Sequence, residues 1–239
     1  MRRLVPGDPR PITPDDAYDW PADRWVRACM VMGLDGSIAG PDGRSGSISS
    51  ATDRAVLAAI RRHADAYLVG AQTVRAERYS AVRAQPEVVE RRTASGQAAA
   101  PTLAVVSATC RFDWDDVAFT GSEIRPLILT VERSDPAARQ TAARWCDVAV
   151  VGAERVEPGA ALTALAERGL TRVTCEGGAS LLADMIRSDA LDEIDLTLAP
   201  LVTGAQPPTG PGSAVLHRMD LHQLLEDDGF LFARYLRRR

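Results

Sequence analysis

Short apolar runs alternate along this chain with stretches in which apolar residues recur at helical spacing. Trp25-Val26-Arg27-Ala28-Cys29-Met30-Val31-Met32 is a mostly apolar run of strand length, suited to a sheet covered on both faces. Turn signals follow at Gly33–Gly36 and Gly40–Gly43. Ser50 or Thr52 then caps a helix from about Asp53 to His63, with Val56, Leu57, Ile60 and Ala64 on one face. Ala66–Val69 is a short buried strand ending at Gly70, and the polar, Ala-rich residues 84–100 form a mobile loop or a frayed helix. Further strands are predicted at Leu103–Val106, Pro126–Val131, Val148–Val151, Thr171–Cys175 and Glu193–Leu198. Helices fall between them: Asp135–Trp145 with Pro136 in its first turn, Gly159–Arg168 closed by Gly169, and one after Gly178 with Leu181, Leu182, Met185 and Ile186 inward. Gln206–Ser213, with its prolines and glycines, reads as a long loop, and Phe230–Leu236 alternates as a final antiparallel edge strand. The pattern predicts an α/β domain over residues 24–239, with a mostly parallel mixed sheet and helices on both faces. The Pro-rich residues 1–23 form an N-terminal arm.

Composition narrows the chemistry. All 28 basic residues are Arg, and the chain has neither Lys nor Asn. Schiff-base lysine chemistry and a Walker-type phosphate loop are therefore excluded. The net charge of −4 implies no basic stripe for nucleic acid. No apolar run is long enough to cross a membrane, and the first residues lack the apolar stretch of a signal peptide, so a cytoplasmic protein is expected. Cys29, Cys110, Cys146 and Cys175 are far apart in sequence, each in or beside an apolar stretch, as expected of reduced and mostly buried thiols. The three histidines form no HxxxH or HExxH pattern, and no metal site is expected.

Three segments carry candidate chemistry. In Glu176-Gly177-Gly178-Ala179-Ser180 a buried strand ends, two glycines turn the chain, and a helix begins. Such a turn lets a ligand approach the backbone, and free N–H groups at the helix start favour an anion; a tight turn bearing a surface acid fits the same residues. Gly70-Ala71-Gln72-Thr73-Val74-Arg75-Ala76-Glu77-Arg78-Tyr79 also follows a buried strand: Gly70 can approach a cofactor, Thr73 can donate to it, and Glu77, Arg78 and Arg83 can orient a polar or phosphorylated substrate; an exposed amphipathic turn fits the same residues. Gly33-Leu34-Asp35-Gly36 offers Asp35, either as a functional acid or as part of a common Asp-Gly turn, and Ser49-Ser50 offers hydroxyls that bind a phosphate or cap a helix. No G-x-G-x-x-G follows any strand, which disfavours a Rossmann dinucleotide site.

Taken in order, Gly33-Leu34-Asp35-Gly36-Ser37-Ile38-Ala39, Asp65-Ala66-Tyr67-Leu68-Val69-Gly70-Ala71-Gln72-Thr73-Val74, Val173-Thr174-Cys175-Glu176-Gly177-Gly178-Ala179-Ser180-Leu181-Leu182 and Leu191-Asp192-Glu193-Ile194-Asp195-Leu196-Thr197-Leu198-Ala199-Pro200 resemble the pyrimidine reductase family of riboflavin biosynthesis. That family is the reductase half of the bifunctional deaminase-reductase, and the likeness covers about residues 24–237. Ala76-Glu77-Arg78-Tyr79-Ser80 is similar to the stand-alone actinobacterial type. The resemblance implies a dihydrofolate-reductase-like fold, NADPH, a homodimer, and reduction of 5-amino-6-(5-phosphoribosylamino)uracil to its ribitylamino product. It places Gly70, Thr73, Gly177, Gly178, Ser180 and Leu181 along NADPH, with Ser107, and more weakly Arg111, near the adenosine 2′-phosphate. It places Cys29, Asp35, Ser49, Glu77 and Arg83 toward the substrate, and Glu176 between nicotinamide and substrate, so that Glu176 and Asp35 are the implied catalytic acids. The deaminase motifs HxE and PCxxC are absent. Two departures stand out. Cys29 occupies a position where the family usually presents Lys or Asn, and Glu77-Arg78-Tyr79 replaces an Asp-Asp-Pro run. The departures leave room for a dihydrofolate or pteridine reductase on the same fold, or for a nucleotide-binding protein that has lost turnover.

Overall fold

Each apolar run becomes a strand of a single sheet. The computed structural model describes residues 1–5, 11–21, 24–205 and 214–238, so the loop expected at Gln206–Ser213 lies outside the described residues. In chain order the elements are β1 (Arg2–Val5), α1 (Pro14–Ala17), β2 (Trp25–Met32), α2 (Ala51–His63), β3 (Ala66–Gly70), α3 (Ala71–Glu77), α4 (Pro86–Ala94), β4 (Thr102–Val106), α5 (Val117–Thr120), β5 (Leu127–Thr130), α6 (Pro136–Trp145), β6 (Asp147–Val150), α7 (Pro158–Ala166), β7 (Arg172–Cys175), α8 (Ala179–Arg187), β8 (Glu193–Leu198), β9 (Met219–Asp227) and β10 (Phe230–Arg237). The ten strands run in the order β1-β9-β10-β8-β2-β7-β3-β4-β5-β6. From β8 to β6 every neighbour is parallel, while β10, β9 and β1 continue the sheet antiparallel.

β2 lies between β8 and β7, which explains its lack of polar alternation. Its Val26 and Ala28 enter a core with Leu162 and Leu165 of α7 and Met185 of α8. On the opposite face, Val56 and Ile60 of α2 pack with Tyr18, Leu225 and Phe232, and Cys29 lies against them. The Ser50 hydroxyl, rather than that of Thr52, caps α2 by accepting from the Asp53 N–H at 3.0 Å. The final strand is antiparallel as expected, and the sheet goes on beyond it through β9 and β1. β9 is half polar because one face of this flank meets solvent, which hides it from a search for apolar runs. Segment 84–100 contains a formed helix, α4, whose buried Arg92 donates to the carbonyls of Arg62, Ala64 and Ala98. The N-terminal arm is tied to the body: β1 pairs with β9, and the Trp20 indole donates to the Ile60 carbonyl at 3.0 Å.

One sheet face buries charge. Glu193 accepts from Arg234 and from the Trp25 indole, each at 2.6 Å, and lies 3.5 Å from Arg27. Asp195 lies 3.7 Å from Arg27, its oxygens accept from no N–H or hydroxyl group, and Glu193 is the carboxyl with which it can share a proton. Burial, reinforced by Glu193, pushes the Asp195 carboxyl well above the usual range. A raised carboxyl pKa makes the folded protein bind a proton that the unfolded chain has already lost. Stability therefore falls as pH rises from the unfolded value of about 4 through the folded one. Asp195→Asn removes this slope. Urea unfolding is expected to show the variant gaining on the wild type between pH 4.5 and pH 8; parallel curves would place a fully compensated carboxylate at Asp195.

Candidate active site

The site forms at the C-terminal ends of adjacent parallel strands, where open α/β sheets place ligands. β3 and β7 pair with Leu68 opposite Cys175, and the Gly70 N–H donates to the Gly177 carbonyl at 2.7 Å. α3 starts from Gly70 and α8 from Gly178, and no side chain caps either helix. Their first N–H groups therefore stay available at neighbouring strand ends, a setting for an anion. Gly177 has φ of 77°, and a Cβ at Gly178 would sit 2.8 Å from the Thr73 hydroxyl oxygen, so both positions call for glycine. Gly70, Thr73, Gly177 and Gly178 are thus brought together. Ser180 and Leu181 fill the first turn of α8, Ser180 exposed and Leu181 packed on the core. Ser107 follows β4, whose Val106 is opposite Gly70; it is buried, and its hydroxyl accepts from the Cys110 N–H at 3.1 Å. Arg111 is exposed and pairs with Asp135.

Glu176 is a buried acid at this rim, 9% exposed, rather than a surface one. Arg61 grips it with two bonds, Nε to Oε1 at 2.8 Å and Nη2 to Oε2 at 2.5 Å, and the Tyr79 hydroxyl donates to Oε2 at 2.5 Å. Arg78 at the end of α3 takes the left-handed conformation, φ 52°, and turns the chain just before Tyr79. The Arg61 guanidinium also lies over the rings of Tyr67 and Tyr79, 5.0 and 5.3 Å from their centroids. Burial disfavours its charge, but Glu176 outweighs burial and holds Arg61 above its usual range. Burial and the Glu176 carboxylate push the Tyr79 phenol up, so it remains a donor.

The residues expected toward the substrate divide. Asp35 accepts at one oxygen from the N–H and hydroxyl of Ser37 and at the other from the N–H groups of Thr203 and Gly204. The Ser37 hydroxyl and the Thr203 N–H lead in holding its carboxyl well below the usual range. It clamps the turn after β2 to the loop after β8, an arrangement that suits positioning and not the delivery of a proton. The Ser49 hydroxyl donates to Asp53 at 2.6 Å, and Glu77 accepts from the Ser45 N–H at 2.8 Å. Arg83 is exposed on a segment tied to Ser122 and Glu123, and no hydrogen bond or ion pair links it to Glu176 among the described residues. Cys29 is half-buried; burial and the carboxyls of Asp195, Asp53 and Glu176 push its thiol up.

Sequence reasoning missed Arg61 and gave no role to Tyr79. Arg61 sits in the basic last turn of α2, where an arginine reads as a solvated partner of the helix dipole. The contact joins residues 115 positions apart, with no local signal. Among the described residues no group of His, Cys, Asp and Glu could hold a metal ion, and no helix is long and apolar enough to cross a membrane.

Known proteins resemble this chain in sequence and in fold. Two archaeal proteins named 2,5-diamino-6-ribosylamino-4(3H)-pyrimidinone 5′-phosphate reductase are each 30% identical to the chain over 183 residues. The alignment with the Archaeoglobus fulgidus protein covers 76% of this chain and 83% of that one, and with the Methanothermobacter thermautotrophicus protein 74% and 77%. The crystal structure of a pyrimidine reductase-like protein from Corynebacterium diphtheriae superposes with a TM-score of 0.84 at 25% identity, covering 95% of this chain and all of that one. Residues 24–229 match the family described as the RibD C-terminal domain, and the chain belongs to that family.

Proposed function

We propose that this protein is an NADPH-dependent reductase of riboflavin biosynthesis that converts a phosphorylated ribosylaminopyrimidine to its ribitylamino form, acting as a cytoplasmic homodimer. The observation that carries the reading is the pair of glycine-started helices, α3 and α8, opening side by side next to the fixed carboxylate of Glu176. The names of the two archaeal relatives support the substrate class.

The residues fit a dinucleotide. The open N–H groups after Gly70 and Gly178 suit its phosphates, and the glycines at 177 and 178 let the turn pass close to Met30 and Thr73. Ser107 is the candidate partner of an adenosine 2′-phosphate. When bound, the nicotinamide supplies a hydride to the sugar carbon of the ring-opened substrate. The protein contributes alignment. Oε2 of Glu176 takes two donors and Oε1 only one, so Oε1 has capacity for a further N–H or O–H from a ligand. The Arg61 Nε holds that oxygen, Arg61 Nη2 and Tyr79 hold Oε2, and Asp35 holds the turn after β2 against the loop after β8.

Nucleotide oxidation should be followed at 340 nm with NADPH or NADH and three acceptors: the ribosylaminouracil phosphate, its 2-amino counterpart, and dihydrofolate. Turnover is expected with a pyrimidine phosphate and NADPH, with Ser107→Ala narrowing the preference over NADH. Turnover with dihydrofolate alone would overturn the substrate. Glu176→Gln is expected to lower kcat about 10²-fold while the NADPH Kd stays within about threefold; unchanged kcat would remove Glu176 from the reaction.

A further inference from the structure

A cavity of about 220 Å³ lies at the other end of the parallel strands from Glu176. Arg172 opens β7 and lines this cavity, whereas Glu176 follows the end of β7. Four residue steps of about 3.3 Å separate the two, about 13 Å along the strand. The walls come from α1 and the segment after it, the last residue of α2, α4 with the turn that follows, and the start of β7. The volume is below the ~300 Å³ at which drug-sized pockets begin, so it suits a small ligand.

The lining carries more free positive than negative charge. Two carboxylates reach it, Asp15 and Asp19, and each already has an arginine: Asp15 accepts from Arg62 and Asp19 from Arg234. Two guanidinia are not satisfied in this way. Arg91 makes no side-chain hydrogen bond or ion pair among the described residues. Arg172 donates through Nε to the Pro21 carbonyl at 3.1 Å, and its two Nη groups are neither bonded nor buried among the described residues. The His63 imidazole adds a further group without a hydrogen-bond partner there. Gln97 fixes the frame, donating from Nε2 to the His63 carbonyl at 3.0 Å and to Asp65 at 2.6 Å. That tie holds the turn after α4 against the end of α2, so Arg91 and His63 line one space. Trp20 is held as well, by its bond to the Ile60 carbonyl and by the Arg27 guanidinium 4.0 Å from its ring centroid.

We propose that this cavity is an anion site separate from the catalytic cleft, taking a small oxyanion, such as the phosphate of a phosphorylated metabolite, between Arg91, Arg172 and His63. The site does not depend on the reductase reading. The guanidinia supply planar forks of N–H donors that match an oxyanion, and the imidazole adds one more donor. Because Trp20 and Asp19 belong to the arm, a ligand here also fastens the arm to α4 and β7.

The full chain is titrated with inorganic phosphate at pH 7.5 and constant ionic strength, and binding is read by calorimetry. Arg91→Gln and Arg172→Gln are compared with Arg144→Gln, an exposed arginine on α6, with circular dichroism and Tm checking the fold. Saturable binding is expected, weakened about tenfold by each cavity variant, as for loss of a charge-assisted hydrogen bond, and unchanged by Arg144→Gln. Absence of saturable binding would overturn the site. Equal loss in all three variants would do the same by showing diffuse charge attraction, and binding that survives both cavity variants belongs elsewhere. Should Arg172→Gln not fold, the exposed Arg91 decides alone. A local readout uses sulfate, whose charge is constant over the range, with the His63 C2 proton followed by NMR from pH 5 to pH 8 and assigned with His63→Gln. Asp15, Arg62, Arg91 and Arg92 act on His63, with Asp19 and Arg172 also lining the cavity, and an added dianion favours the imidazolium. The His63 midpoint should rise with sulfate in the wild type and stay in place in Arg91→Gln; a wild-type midpoint that does not move would contradict the proposal.

Discussion

Arg61 and Glu176 meet at 2.5 Å where three parts of the chain converge: the last turn of α2, the end of β7, and the segment after α3 that carries Tyr79. Removing a carboxylate from water is costly, and a two-bond guanidinium contact offsets that cost better than a single contact does. The phenol of Tyr79 adds a third donor. The carboxylate is thereby fixed immediately before Gly177 and Gly178. Because the Gly70 N–H also bonds the Gly177 carbonyl, the two helix starts are registered against the same acid. Loss of Arg61 would leave Glu176 buried without its counter-charge, and the turn leading into α8 would lose its anchor.

The two faces of the sheet do different work. Toward α7 and α8 it is apolar, with Val26, Ala28, Leu68 and Val173 packed on Leu162, Leu165 and Met185. Toward α1 and α2 it carries Arg27, Glu193, Asp195 and Arg234, and then Cys29 and Glu176 as the strands reach the rim. Charge buried on one face and a dry core on the other let a single β2 strand both hold the domain and line the cleft. The arm contributes too: the carbonyls of Ala17 and Asp19 accept from Arg234 and Arg27, so the short segment after α1 completes this polar layer.

Most of the parallel sheet was legible because its strands are short, mostly apolar runs or, in β8, a strict apolar–polar alternation, and the glycines at 70, 177 and 178 punctuate them at the rim. What escaped was the structure whose signal is not apolar. β9 is half solvent-facing, β1 belongs to a Pro-rich stretch, and α4 is anchored by a buried arginine bonded to carbonyls. The same limit applies to the site. Glycines and a strand-end acid show in sequence because local conformation demands them. The Arg61 and Tyr79 partners of Glu176 come from distant positions, and only folding brings them there. Asp35 reads as a candidate acid from its turn, yet the loop after β8, 168 residues on, occupies one of its oxygens. The absence of Lys and Asn gains a location in Cys29, which has the buried Asp195 beside it instead of an amine or amide of its own.

The Arg61–Glu176 pair organises the cleft. A double-mutant cycle on unfolding free energy, with Arg61→Met, Glu176→Gln and the combination, measures it most directly. A coupling of about 1–3 kcal/mol is expected, with the double variant more stable than Arg61→Met alone because it leaves no uncompensated carboxylate. Single effects that add to within about 0.5 kcal/mol would contradict it.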